Sequence, residues 1–194
     1  MITDEELVQL AKEFDIDLKI LKAIIKVESG GFGFAEDGKI IIQFEPSWFK
    51  RKAAKEYADY LKLKTYKSKV PIMNYWDTAL NKAVSNQRNE WFAFNAAFKI
   101  NSDAAMQSTS IGMMQIMGFH YAELGFKTVG EMWDFAKLSE KNQIELALRF
   151  IRDNASLYKA VKSHDFKEIA FSYNGKNYPK FNYDKRLENA FNLS

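Results

Sequence analysis

Apolar residues recur every three or four positions along most of the chain, which is the spacing of amphipathic helices. The first such run follows Thr3 and Glu6, a capping-box pair that predicts the start of a helix. A second run begins after Asp17 and leads to Glu28, and a third begins after Ser139. The pattern therefore predicts a mainly α fold.

The remaining pattern predicts one short strand among further helices. The β-branched run "KIIIQF" (39–44) favours a strand, and Pro46 suits the first turn of a helix that runs toward Leu61. A long helical region is predicted from about 77 to 100. The segment "SIGMMQIMGFHYAEL" (110–124) is apolar enough to predict a buried helix. The fold class is thus mainly α with a small β element.

Composition narrows the class of protein. A chain of 194 residues can bury a sizeable core, and it contains no internal repeat and no linker rich in Gly, Ser or Pro. We therefore expect a single domain over residues 1–194. No stretch approaches the roughly 20 apolar residues that span a bilayer, so no membrane insertion is expected. The N-terminus "MITDEELVQL" lacks the basic start of a secretory signal, which predicts synthesis in, and initial residence in, a cytosol.

The net charge argues against a nucleic-acid-binding protein, and the residue types present argue against a metalloprotein. The net charge of +3 favours approach to an anionic polymer but is far from typical of nucleic-acid binding. Cysteine is absent and there are only two histidines, so we expect neither a metal site nor a cofactor. Strong, salt-dependent DNA binding would contradict this interpretation.

Glu28 is the leading candidate for chemistry. It continues the apolar face of its helix in "VESGGFGF" (27–34) and occupies the last turn, at the negative end of the helix dipole. Both placements disfavour the anion and are expected to raise the pKa of the carboxyl group. A carboxylic acid that stays protonated near neutral pH can protonate the leaving oxygen of a glycoside. The alternative is an ordinary glutamate at a frayed helix end.

A second acid, Glu45, follows the predicted strand in "IIIQFEPSWF". Many glycosidases use a second carboxylate as base or nucleophile, and a return of the chain from helix to strand would bring Glu45 toward Glu28. Glu45 can equally satisfy backbone amides at the start of the next helix. Asp37 and Asp103 are weaker candidates for the same role.

Two polar segments are candidates for sugar binding. Gln115 is a single amide in the apolar segment "STSIGMMQIMGF" (108–119), where a buried amide needs hydrogen-bond partners. The segment "FSYNGKNYPKFNYDKRL" (171–187) is rich in Tyr and Asn, whose rings and amides suit sugar faces and hydroxyls. Both patterns have simpler explanations, because the methionines suit a core and Tyr-Asn-Gly is a common turn.

Four strings together, "VESGGFGF", "IIIQFE", "AAMQSTSIGMMQIMGFHYAELGF" and "FSYNGKNYPKFNYDKRL", resemble the phage-type N-acetylmuramidase domain of endolysins. The resemblance covers about residues 15–192 and extends to the wider lysozyme and lytic transglycosylase group. It implies a lysozyme-like fold whose two helical lobes and small β element flank a substrate groove. No separate wall-binding domain is expected.

The resemblance implies a peptidoglycan substrate and a role for each matched residue. The bond cut would be the β-1,4 bond between N-acetylmuramic acid and N-acetylglucosamine. The implied catalytic residues are Glu28, as general acid, and Glu45. The implied substrate-binding residues are Gln115, Met117, Tyr173 and Asn174.

Several alternatives remain open. A lytic transglycosylase would use the same acid but give a 1,6-anhydro product, and a non-catalytic protein would bind peptidoglycan without cutting it. We expect a monomer that remains in the host cytoplasm until it is released to the cell wall, as the resemblance to phage lysins implies.

Overall fold

The structure, a computed structural model, describes residues 2–29, 32–56, 58 and 87–194, without the side chains of residues 174 and 177. The α-helices with defined bounds are α1 (Asp4–Glu13), α2 (Leu18–Glu28), α3 (Pro46–Lys52), α4 (Gln87–Phe98), α5 (Ser102–Gln107), α6 (Val129–Leu138), α7 (Glu140–Asp153), α8 (Ala155–Lys162), α9 (Phe166–Asn174) and α10 (Tyr183–Asn192). Two 3-10 helices cover Gly118–His120 and Gly175–Phe181, and the strands are β1 (Ile42–Phe44), β2 (Thr109–Ile111) and β3 (Ile116–Met117). The predicted mainly α class with a small β element is confirmed.

Side-chain caps begin the helices where the sequence predicts them. Thr3 and Glu6 form the full capping box of α1. The Asp17 side chain accepts a hydrogen bond from a backbone N–H in the first turn of α2. Ser139 does the same for α7. Each cap satisfies an N–H group that has no partner within its own helix.

The three strands form one antiparallel sheet in the order β1–β2–β3. Ile42 of β1 pairs with Ile111 of β2, and Ile111 pairs with Ile116 of β3. The predicted strand at 39–44 is confirmed in its second half. Ile40, in the first half, makes only an isolated bridge to Phe34.

The prediction of a buried helix over residues 110–124 is wrong. The segment begins as part of β2, reverses, and returns as β3 before its 3-10 turn. Gly112 and Gln115 both adopt positive φ angles, +73° and +50°, which reverse the chain between the two strands. Ile111, Met113, Met114 and Ile116 are buried as expected, but in a hairpin.

Side chains from α4 satisfy the free edge of β1. The Gln87 amide accepts from the Ile42 N–H and donates to the Ile42 carbonyl, both at 2.9 Å. One turn later, the Glu90 carboxyl group accepts from the Phe44 N–H at 2.8 Å. A short strand that would otherwise expose unpaired backbone groups is thereby covered by a helix.

The core is centred on α2, which packs against α10 and α1. Ile20, Leu21 and Ile24 of α2 are at most 1% exposed. Burial of each such side chain contributes about 1.5–3 kcal/mol to folding. Glu28 is therefore attached to one of the most firmly packed helices of the molecule.

Two predicted helices are only partly described. The helix from Pro46 ends at Lys52 with Ala53 at its C-cap, and residues 54–56 and 58 are again helical. The rest of the predicted extension toward Leu61, at residues 57 and 59–61, lies outside the described residues. Of the region predicted from 77 to 100, α4 confirms the second part, and the rest lies outside the described residues. The predicted helix stop at Gly30 also lies outside them. Within the described ranges, no helix is long and apolar enough to cross a membrane.

Candidate active site

Glu28, the last residue of α2, lies half-buried at a cavity of about 430 Å³. The buried face of α2 leads directly to it, as the sequence pattern predicts. The cavity is lined by Glu28, Gln43, Met114, Gln115, Ile116, Met117, His120, Phe150, Tyr173 and Tyr183. Four of the six predicted site residues, namely Glu28, Gln115, Met117 and Tyr173, are among them.

The hairpin between β2 and β3 holds Gln115 in a defined orientation. The Ser110 hydroxyl donates to the Gln115 side-chain carbonyl at 3.0 Å, and the Gln115 amide donates to the Gly112 carbonyl at 2.7 Å. These two hydrogen bonds fold the Gln115 side chain back onto its own hairpin. Met117 follows on β3, so the hairpin supplies one wall of the cavity.

Tyr173, near the end of α9, lines the cavity and carries a buried hydroxyl group. Its ring packs edge-on against Phe150 at 6.1 Å between centroids. Within the described part of the chain, the hydroxyl oxygen is buried without a hydrogen-bond partner. Burial, and secondarily the charge of nearby Glu28, raise the pKa of this hydroxyl. It therefore stays protonated and remains a hydrogen-bond donor.

Glu45 lies outside this set of lining residues. It is the N-cap residue of α3, half-buried, and it accepts a hydrogen bond from the Gln43 amide at 2.9 Å. Burial raises the pKa of the Glu45 carboxyl group, and the bond from Gln43 partly opposes this. Since Gln43 lines the cavity, its hydrogen bond links Glu45 to the cavity.

Two further candidates, Asp37 and Asp103, are not among the described residues that line the cavity. Asp37 is exposed and pairs with Lys39, which lowers the pKa of its carboxyl group. Asp103 is exposed in the first turn of α5. Asn174 ends α9, and its side chain lies outside the described part of the structure.

Comparison with known proteins identifies the class to which this site belongs. Residues 17–193 match the family N-acetylmuramidase. The chain belongs to the N-acetylmuramidase family. It is therefore a peptidoglycan-degrading glycoside hydrolase of the lysozyme type.

A solved structure agrees with this assignment. The Burkholderia AP3 phage endolysin has 30% sequence identity and a TM-score of 0.82, over 99% of this chain and 71% of that chain. The lysozyme-like fold implied by the sequence is thereby confirmed. No curated protein matches the chain.

Several cavity residues of this muramidase were not predicted from its sequence. Gln43 alternates with buried neighbours on β1, so strand periodicity alone would have placed it away from the core. His120, one of the two histidines of the chain, lines the cavity, and its ring nitrogen contacts Glu123. Within the described ranges, no cluster of His, Asp and Glu residues could hold a metal ion.

Two buried residues beside the site also escaped the sequence patterns. Glu90 is 4% exposed. Burial, with a smaller contribution from the charge of Glu45, raises the pKa of the Glu90 carboxyl group to about 7, although the hydrogen bond from the Phe44 N–H lowers it. Gln143 is 1% exposed and accepts from the Met113 N–H at 2.7 Å. An acid and an amide on helical surfaces give no sequence signal of burial, because their partners are distant along the chain.

Proposed function

We propose that this muramidase cleaves the β-1,4 bond between N-acetylmuramic acid and N-acetylglucosamine, with Glu28 as the general acid. The observation that carries the proposal is that Glu28 is the single carboxylate among the described residues that line the cavity. Gln115, Met117 and Tyr173 line the same cavity, which suits a sugar substrate that needs both hydrogen-bond partners and apolar contact.

In the proposed reaction, the Glu28 carboxyl group donates its proton to the glycosidic oxygen. The bond from that oxygen to C1 of N-acetylmuramic acid breaks, and an oxocarbenium-like centre develops at C1. A water molecule then attacks C1, and a carboxylate accepts the proton released by the water. The products are a reducing N-acetylmuramic acid end and a free hydroxyl on N-acetylglucosamine.

Glu45 is the proposed second carboxylate, acting from outside the lining residues through Gln43. The Gln43 amide donates to Glu45 and Gln43 lines the cavity, so in this proposal Gln43 links the Glu45 carboxylate to a water bound in the cavity. The raised pKa of Glu45 would make it a stronger base once ionised. Hydrolysis therefore requires an intact Glu45–Gln43 pair.

The absence of a second carboxylate from the described lining residues favours one alternative. In a lytic transglycosylase, the 6-hydroxyl of N-acetylmuramic acid attacks C1 in place of water, and Glu28 itself takes up the hydroxyl proton. This chemistry needs only one protein carboxylate in the cavity. Its product is a 1,6-anhydro end.

Digestion of purified peptidoglycan separates these reactions. Soluble fragments would be reduced with borohydride and analysed by mass spectrometry for wild type, Glu28→Gln and Glu45→Gln. Reducible N-acetylmuramic acid ends that disappear in both variants support hydrolysis by the proposed pair. Anhydro ends that survive in Glu45→Gln support the transglycosylase.

A control variant tests whether Glu28 matters through its chemistry. Glu13 ends α1 as Glu28 ends α2, but it is exposed. Glu13→Gln should digest peptidoglycan like wild type. If Glu28→Gln also retains full activity, Glu28 is not the acid and the proposal is wrong.

The likeness to a phage endolysin supports a proposal about where the enzyme acts. We infer that it is a phage-type lysin that digests the host cell wall after its release from the cytoplasm. This can be tested by adding the purified protein to Gram-negative cells, both intact and with the outer membrane permeabilised. Lysis dependent on Glu28 supports the role, and an absence of lysis with both forms opposes it.

A further inference from the structure

A second surface lies beside the cavity and combines aromatic rings with cations. The rings of Trp48 and Phe119 are 4.7 Å apart between centroids, and both are partly exposed. The Arg51 guanidinium lies 4.2 Å from the Trp48 ring centroid, and the Lys52 ammonium lies 5.3 Å from that of Phe119. We refer to these four residues as the aromatic–basic surface.

Ring contacts connect this surface to the cavity without interruption. Phe119 lies 4.3 Å from the ring of His120, and His120 lies 5.0 Å from the ring of Phe150. Phe150 in turn packs on Tyr173, and both residues line the cavity. A substrate that occupies the cavity and extends along this row of rings reaches Arg51 and Lys52.

The two cations are placed to bind an anion. Arg51 and Lys52 are exposed in the last turn of α3. Within the described ranges, neither has a carboxylate partner at ion-pair distance. A guanidinium stacked on an indole keeps its N–H edge free and pre-oriented, which suits two parallel bonds to a carboxylate. The contacts therefore favour a carboxylate ligand.

We propose that the aromatic–basic surface binds carboxylate groups of the short peptides attached to N-acetylmuramic acid. This inference rests on the proposed function. In peptidoglycan, the lactyl carboxyl group of N-acetylmuramic acid is consumed by its amide bond to the peptide. The glycan strand is then neutral, and the negative charges lie on the peptides. Charge complementarity thus points to the peptides rather than to the sugars.

The proposal makes the enzyme selective for glycan strands that carry peptides. Soluble strands with peptides would be compared with the same strands from which an amidase has removed the peptides. The variants are Arg51→Gln, Lys52→Gln and the double variant, with Lys52→Arg as the variant that keeps the charge. Rates of cleavage would give kcat/KM for each pair of enzyme and substrate.

The expected result is a loss confined to the peptide-bearing strands. An exposed charge pair contributes up to about 1 kcal/mol to binding. Each single variant should therefore lose about threefold to fivefold in kcat/KM on peptide-bearing strands, and the double variant about tenfold or more. Lys52→Arg should retain wild-type values. Salt should lower the wild-type rate on peptide-bearing strands toward that of the double variant.

A matched control is available in Arg152 of α7, an exposed residue whose guanidinium lies 4.6 Å from the Phe14 ring centroid and which is not among the described residues that line the cavity. Arg152→Gln removes an exposed stacked guanidinium of the same kind and should leave both rates unchanged. Equal losses on both substrates, or none on either, would overturn the proposal while leaving the proposed function intact. If wild type cleaves neither substrate, the proposed function itself fails.

Discussion

The side chain of Gln143 occupies the space that a Cβ atom on Gly33 would need. Gly33 lies five residues after Glu28 in the sequence, and the same amide accepts from the Met113 N–H in the hairpin that carries Gln115. Its nitrogen donates to the carbonyl of Ala136 at 3.1 Å and toward that of Gly33 at 3.4 Å. One buried residue of α7 therefore joins the segments on two sides of the cavity.

Replacement of Gln143 by Leu should reduce both stability and activity. The variant leaves the buried Met113 N–H without its partner, and we expect a loss of about 1–3 kcal/mol in the free energy of unfolding. Because small displacements of reacting groups slow catalysis strongly, kcat should fall by about tenfold to a hundredfold at temperatures where the variant is fully folded. Urea titration and rates of peptidoglycan digestion give the two values.

Gln9→Leu is the control for this prediction, because Gln9 is exposed on α1. It should change stability by less than about 0.5 kcal/mol. A folded Gln143→Leu enzyme with wild-type kcat would show that Gln143 supports the fold without positioning the site.

Gly118 and Gly130 form a matched pair that tests how tightly the backbone is packed at a glycine. A Cβ atom on Gly118 would overlap the backbone carbonyl of Met106, which cannot move independently of α5. At Gly130, in α6, the nearest atom to such a Cβ is the Thr128 hydroxyl at 3.7 Å. Gly118→Ala should therefore cost about 2 kcal/mol or more, whereas Gly130→Ala should stabilise by about 0.5–1 kcal/mol. Thermal unfolding of both variants tests this, and equal effects would contradict it.

The buried Glu90 carboxyl group should make the enzyme less stable as pH rises. Its pKa in the folded protein is about 7, above its ordinary value of 4.5. The folded state therefore holds this proton more tightly, and the resulting stability is complete below about pH 4.5 and lost as pH rises through 7. At about 1.4 kcal/mol per pKa unit, the loss is about 3 kcal/mol.

Glu90→Gln isolates this effect, because the amide oxygen can still accept from the Phe44 N–H but does not titrate in this range. Free energies of unfolding at pH 5 and pH 8 should differ less in the variant than in wild type. Burial also raises the pKa of the Glu45 carboxyl group, so Glu90→Gln should keep a residual fall in the free energy of unfolding with rising pH. Parallel profiles for the two proteins would refute the assignment to Glu90.

Tyr173→Phe should separate function from stability. The Tyr173 hydroxyl is buried without a partner in the described structure, so its removal should leave stability unchanged or raise it by about 1 kcal/mol. If this hydroxyl bonds the substrate, kcat/KM should fall by about tenfold. Tyr158→Phe is the counterpart, because the Tyr158 hydroxyl donates to the Phe14 carbonyl at 3.1 Å.

The two tyrosine variants should give opposite results. Tyr158→Phe should lose about 1 kcal/mol of stability with unchanged activity. Thermal unfolding and digestion rates measured on both would decide the matter. A destabilised Tyr173→Phe enzyme with wild-type activity would show that the hydroxyl has a structural role only.

The sequence by itself determined the features that depend on near neighbours. The caps Thr3, Asp17 and Ser139 act on amides two or three residues away, so a short pattern is enough to predict them. Glu28 could be placed at the end of an apolar helix face for the same reason, since helical periodicity repeats within four residues.

Only the tertiary structure decided what depends on distant partners. The segment 110–124 contains a hairpin because its first strand, β2, pairs with β1. The paired residues Gln43 and Ser110 are 67 positions apart in the sequence, and the spacing of apolar residues within one segment gives no information about such a distant partner. Glu90 and Gln143 are buried by contacts 46 and 110 residues away along the chain. Glu45 lies outside the lining residues for the same physical reason: its position follows from how β1 and α3 pack, which no local pattern encodes.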